Sequence, residues 1–166
     1  FLTQATFGPI PAAIQQVRTL GYEGWLQAQR QAPVSSFLGF IDQVNAEDLS
    51  EDDLQEAWFT YATNAPDQLR LRVANALIEI LVLSSAHGVE GIAEAQAAYM
   101  DILQRHAFGN YRQLLEDVTL NPGMGQYLSH LKNYKPGPDH NPDENYGREV
   151  LQLFSIGLNR LNQDGT

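Results

Sequence analysis

Apolar residues return at three- and four-residue intervals along the whole chain, and strand-like alternation is nearly absent. Pro11 suits a first helical turn, Ile14, Val17 and Leu20 follow it on one stripe, and Gly21 closes that helix. A second short helix carries Trp25 and Leu26 and breaks at Pro33. Phe37, Leu38, Phe40, Ile41 and Val44 make another amphipathic turn or two. Ser50 with Asp53 three residues on resembles a capping box, with Asp in place of Glu, and Leu54, Ala57, Trp58 and Tyr61 then share a face. Pro66 and Asp67 open the next helix. Over residues 73–83 it is apolar on nearly all sides, which predicts a central, buried helix ending at His87-Gly88. Residues 94–108 predict a further helix with Ala98, Met100, Ile102, Leu103 and Ala107 in the core, stopped by Gly109.

Asn110 can cap a helix over residues 111–120, and Asn121-Pro122 places a cap before a first-turn proline, with residues 126–131 following. Residues 133–142 read as a loop with three prolines and a glycine. Asp143 can cap a last helix running to about Ile156, with Gly157 in the position that favours a left-handed turn. The pattern predicts an all-α, irregular multi-helix array around a central buried helix, with the last helix packed on it.

The 166 residues fit one domain able to bury a core without disulfides, and the chain has no cysteine, which removes thiol catalysis and cysteine-based zinc sites. The formal net charge of −10 and the presence of only two lysines argue against a nucleic-acid face. Seven acids between Asp42 and Glu56 have no base among them and read as a solvated helix start. No apolar run is long enough to span a bilayer. The chain starts at Phe1 and stops in an Asp164-Gly165 turn. Residues 1–166 are therefore expected to be a helical domain, or the N-terminal part of a larger one, cut at both ends. The remainder of the same chain is its first expected partner, and any export signal would lie upstream.

The densest polar constellation runs from Asp139 to Glu149. Helical spacing puts Tyr146, Val150, Leu153 and Phe154 on a core stripe, and Glu144, Asn145, Arg148, Glu149 and Gln152 on the other side. Three readings compete for that polar strip. It is an exposed face with a Glu144–Arg148 pair, or an interhelical clamp in which Arg148 fixes a carboxylate and loop carbonyls. In the third it is the wall of a cleft, where Glu144 or Glu149 acts as base or metal ligand and Arg148 holds an anionic group. Asp143 and Asn145 belong to the clamp reading. Asp139, Asn141 and Asp143 alternate as oxygen ligands do at the start of a calcium loop, although Glu144 and Val150 break the EF-hand pattern. Glu79, inside an apolar run, is expected to be paired, with Arg72 or, more distantly, Arg112 or Arg148 as partner. His87, His106, His130 and His140 are scattered without zinc-enzyme spacing, and no phosphate loop or nucleophile elbow is present.

Several strings together carry a resemblance. They are residues 1–9 (FLTQATFGP), 72–77, 107–112 (AFGNYR), 118–129 and, most specifically, 142–150 running on to Leu158. They resemble a bacterial family catalogued as domain of unknown function 1800, across the whole chain. The resemblance implies longer proteins, exported to the periplasm or cell envelope, often alongside a second uncharacterised exported protein. It implies no established activity or cofactor. Its motif residues here are Asp143, Glu144, Asn145, Arg148 and Glu149. Two features depart from the usual form: Gly147 stands where alanine is usual, and residues 135–141 are shorter, which weighs against a ligand role for that loop, calcium included. Two functions follow as expectations: a helical binding or assembly module at the cell envelope, or a hydrolase-type enzyme, possibly metal-assisted, with Glu144, Arg148 and Glu149 lining a cleft.

Overall fold

The computed structural model describes residues 1–44, 49–84 and 93–166, which fold as an irregular array of α-helices. After a short α1 (Leu2–Ala5), α2 (Pro11–Gln31) starts with Pro11 in its first turn. It bends at Gly21, whose φ of 68° and ψ of 175° lie outside helical space and favour glycine. Gly21 thus closes one helical segment and a second runs on from the kink, as the sequence suggests. That second segment buries Trp25 against Leu2 and Ala5, a small satellite core.

α3 (Phe37–Ile41) is capped twice. The Ser36 hydroxyl accepts from Gly39 N, and Asp101, from a distant helix, accepts from the Ser36 hydroxyl and from Phe37 N at 2.7 Å. α4 (Glu51–Asn64) begins with the anticipated capping box of Ser50 and Asp53. α5 (Gln68–Ile78) and α6 (Ala93–Arg105) pack on each other, and α6 also meets α3, α4, α7 (Tyr111–Leu120) and α8 (Pro122–Tyr127). The caps read from sequence at Asn110 and Asn121 are both made, each side-chain oxygen accepting backbone N–H groups of the first turn. α9 (Asn145–Leu151) closes the described helices.

The centre of this array is α6, which buries Ala97, Tyr99, Leu103 and Gln104 completely. This corrects the expectation that residues 73–83 form the central helix. α5 stops at Ile78, and Ile80 and Val82 are exposed beyond it. The apolar run there contains Ile78, Ile80 and Val82, β-branched residues whose side chains lose freedom in a helix. The chain instead leaves the helix, and Leu81 turns fully inward, its carbonyl accepting the Tyr99 hydroxyl at 2.6 Å, with Leu83 half-buried against the same core. Glu79 is the C-cap residue and is exposed, so it needs no buried partner. The expected end at His87-Gly88 lies outside the described residues.

A buried clamp does exist, at the start of α5 and not at Glu79. Asp67 is fully buried and stands 4.0 Å from Arg70 Nε, while the backbone N–H and hydroxyl of Ser35 donate to its two carboxylate oxygens. Arg70 donates to the carbonyls of Gln104 and Arg30 and lies over the Phe108 ring. One ion pair therefore ties α2, the approach to α3, α5 and α6 together.

Candidate functional site

The polar strip sits on α9, and local chemistry explains how α9 starts. Asp143 Oδ1 accepts from Asn145 N at 2.8 Å, and its other oxygen receives the Asn145 amide. Asp143 thus caps the helix as anticipated, with Glu144 as the residue at the boundary. The helix is shorter than expected, ending at Leu151 rather than near Ile156. Beyond it Gly157, at φ 85°, donates to the Gln152 carbonyl. The early stop changes which residues face inward. Tyr146 and Phe154 are buried as foreseen, but Leu153 is exposed and Glu149 turns inward.

Glu144, Arg148 and Glu149 do come together. Arg148 Nη2 donates to Asn145 Oδ1 at 2.8 Å, Nη1 lies 3.8 Å from Glu144, and Nε lies 3.7 Å from Glu149. Side-chain exposure is graded: 86% at Glu144, 48% at Arg148 and 16% at Glu149. The second carboxylate oxygen of Glu149 is buried and accepts no hydrogen bond. All three partners of Arg148 lie on α9 or its cap, so this arginine does not tie α9 to another helix.

The other expected residues lie apart. Arg72 donates to the Gln4 carbonyl and lies over the Phe7 ring, away from Glu79. Arg112 is exposed at the start of α7. Asp143 and Asn145 serve the helix start and not an interhelical clamp. Asp139, Asn141 and Asp143 are all exposed, both oxygens of Asp143 are engaged by Asn145, and among the described residues no three His, Cys, Asp or Glu side chains assemble as a metal cluster. Asp143, the third residue of that alternation, is the one whose carboxylate starts α9.

Behind α9 lies a network that sequence spacing did not reveal. Thr119 Oγ1 donates to the Leu115 carbonyl at 2.6 Å, so the Tyr146 hydroxyl, also 2.6 Å away, must be the donor in their bond. His130 stacks on Tyr146 with ring centroids 4.0 Å apart, and its Nε2 stands 3.0 Å from the Thr119 carbonyl. A carbonyl can only accept, so Nε2 carries the proton, and Nδ1 is left buried without a partner. Burial raises the Tyr146 pKa above its ordinary value, against the lowering effect of its bond to Thr119. His106 is likewise paired, its Nε2 2.7 Å from Asp117 Oδ2, across the α6–α7 turn.

Three open hollows surround this network. One of about 610 Å³ is lined by His130, Asn133, Glu144, Arg148 and Gln152, among others. A second, of about 560 Å³, continues it over Ser129, Tyr134 and His140, sharing Asn133 and Asp143. Together they form one groove between residues 129–143 and α9. The third, also about 560 Å³, lies across Gly147 beside Arg112 and Glu116. Gly147, where an added Cβ would touch nothing within 4 Å, is the low saddle between the two sides.

The family model described as "Protein of unknown function (DUF1800)" matches residues 1–164. The chain belongs to the DUF1800 family. No curated protein sequence and no solved structure matches it. Within this DUF1800 chain, the sequence signals that pointed to the candidate site were local ones, the carboxylates and arginine of α9. His130 and Thr119 carry no such signal, because their meeting with Tyr146 depends on how α7, α8 and α9 pack.

Proposed function

We propose that this DUF1800 domain is a binding module whose contact surface is the groove between residues 129–143 and α9. The observation that carries the reading is the construction of that loop. Its ends are joined by a reciprocal pair: Asn133 Nδ2 donates to the Asp143 carbonyl at 2.7 Å, and Asp143 N donates to Asn133 Oδ1 at 2.9 Å. Nearly all its side chains face solvent. A compact surface loop closed on itself, standing beside a cleft, is the usual way a fold presents recognition groups on a rigid base. Leu151, Leu153, Ile156, Leu158 and Leu161, exposed at the end of α9 and after it, give apolar surface that protein contacts commonly cover, which supports the assembly half of the reading. The family resemblance supports placing the module outside the cytoplasm, beside a second exported protein. A fragment screen read by amide chemical shifts tests it: ligands that perturb residues 129–152 support the groove, whereas hits confined to the hollow between Phe7 and Trp58 would move the site elsewhere.

One observation favours the hydrolase reading, the buried, unpartnered oxygen of Glu149 beside Arg148. Glu149→Gln separates the two. Loss of a measured hydrolytic activity at unchanged thermal midpoint would make Glu149 catalytic, and retained ligand binding with no activity in either protein would leave the binding module.

A further inference from the structure

We infer that the groove takes a neutral, polyhydroxylated ligand, an oligosaccharide chain seated on the ring of Tyr134. This deepens the binding-module reading and rests on it. Charge is the first argument. The two joined hollows are lined by two acids, Asp143 and Glu144, and by two bases, Lys132 and Arg148. Opposite charges balanced in this way leave no net field to draw in a free anion or a free cation, and suit a ligand without net charge.

Hydrogen-bonding capacity is the second. The Gln152 and Asn141 amides and the Ser129 and Tyr134 hydroxyls line the groove without a hydrogen bond of their own. Arg148 keeps Nη1 and Nε beyond hydrogen-bonding distance of both carboxylates. The surface therefore offers donors and acceptors side by side. A ligand made of hydroxyls gives and takes at each of them, whereas a carboxylate or phosphate uses only the donors.

The third argument is the aromatic platform. Tyr134 is 75% exposed, and its one ring neighbour is the edge of His140, 6.2 Å away. A pyranose presents a flat C–H face that covers such a ring while its hydroxyls remain at the rim. The loop that carries the ring is braced. His140 Nε2 donates to the Lys135 carbonyl at 2.8 Å, and Gly137 N donates to the His140 carbonyl at 3.0 Å. The imidazole lies so close over Gly137 that a Cβ there would clash with it. Pro136, Pro138 and Pro142 stiffen the rest. A binding loop rigid before the ligand arrives loses little conformational freedom on binding. This geometry outweighs the shorter loop length that counted against a ligand role.

The test is a titration of the isotope-labelled chain with cellohexaose, xylohexaose, mannohexaose and chitohexaose, followed by amide shifts. The expected result is saturable binding of at least one, mapped to residues 129–152. Tyr134→Ala should weaken it by about tenfold, Tyr134→Trp should restore it, and Phe59→Ala, at another exposed aromatic outside the groove, should leave it unchanged. Inorganic phosphate and spermidine are titrated alongside. If either perturbs the groove and no oligosaccharide does, the ligand class is overturned while the groove stands. If an oligosaccharide binds Tyr134→Ala as tightly as the native chain, the platform is overturned. If no probe perturbs residues 129–152, this inference fails together with the reading beneath it.

Discussion

Replacing Arg70 by methionine keeps most of the side-chain length and removes the charge, leaving Asp67 in a fully buried position with only Ser35 donating to it. At 4.0 Å the lost attraction is about 4 kcal/mol if the pair feels an effective dielectric near 20. The carbonyls of Gln104 and Arg30 also lose their donors, and Phe108 loses the cation above its ring. Breaking a buried pair from one side typically costs ~3–5 kcal/mol, because the orphaned charge is the dominant penalty. For a chain of this length that corresponds to a thermal midpoint lower by roughly 6–20 °C. Urea unfolding followed by far-ultraviolet circular dichroism measures it directly. The double variant Asp67→Asn with Arg70→Met should lose clearly less than the two single losses added together, since it removes both charges at once. A single-variant loss under about 1 kcal/mol, or strict additivity, would show that the clamp is incidental to the packing of α2, α5 and α6.

Three further outcomes are expected. Gly147→Ala should stabilise the chain by about 0.5–1 kcal/mol, since the position is helical and open, and a lower thermal midpoint would contradict this. The side-chain hydrogen bond from Ser50, with its backbone N–H, lowers the Asp53 pKa below 3.8. The stability this gives is present above that value and is lost as pH falls through the lower folded-state pKa, so Asp53→Asn should flatten the urea midpoint between about pH 5 and pH 2. Burial raises the pKa of Tyr99, Tyr111 and Tyr146 above 10.0. Their contribution is complete below the unfolded value and declines as pH rises through the raised ones. Alkaline unfolding should accordingly coincide with phenolate absorbance, and Tyr146→Phe should reduce the pH dependence of that limb.

What could be read from sequence was what neighbours in sequence decide. Ser50 with Asp53, Asn110, Asn121 before Pro122, Gly21 and Gly157 each act within a few residues, and each does what its chemistry implied. Position in the core was harder. The run at residues 73–83 shows more hydrophobicity than α6, yet α6 is central: distant segments pack around it, burying polar Gln104 and bonding Asp101 to the start of α3. The same limit governed the site. Glu144, Arg148 and Glu149 were identifiable by helical spacing, but the inward turn of Glu149 follows from α9 ending at Leu151, and nothing at that residue marks the stop. Asp67 with Arg70 sits at an ordinary helical spacing, and only the burial contributed by α2 and α6 distinguishes it from a surface pair.

The reciprocal Asn133–Asp143 bonds have a consequence for how such a chain can change. Because the loop is fastened across its own neck, its interior can be lengthened, shortened or rewritten while α7, α8 and α9 keep their packing. On the proposed reading, the loop's share of the groove is then written in a stretch of the chain that the helix packing does not use. New binding preferences can arise in residues 134–142 without the helices paying in stability for each trial.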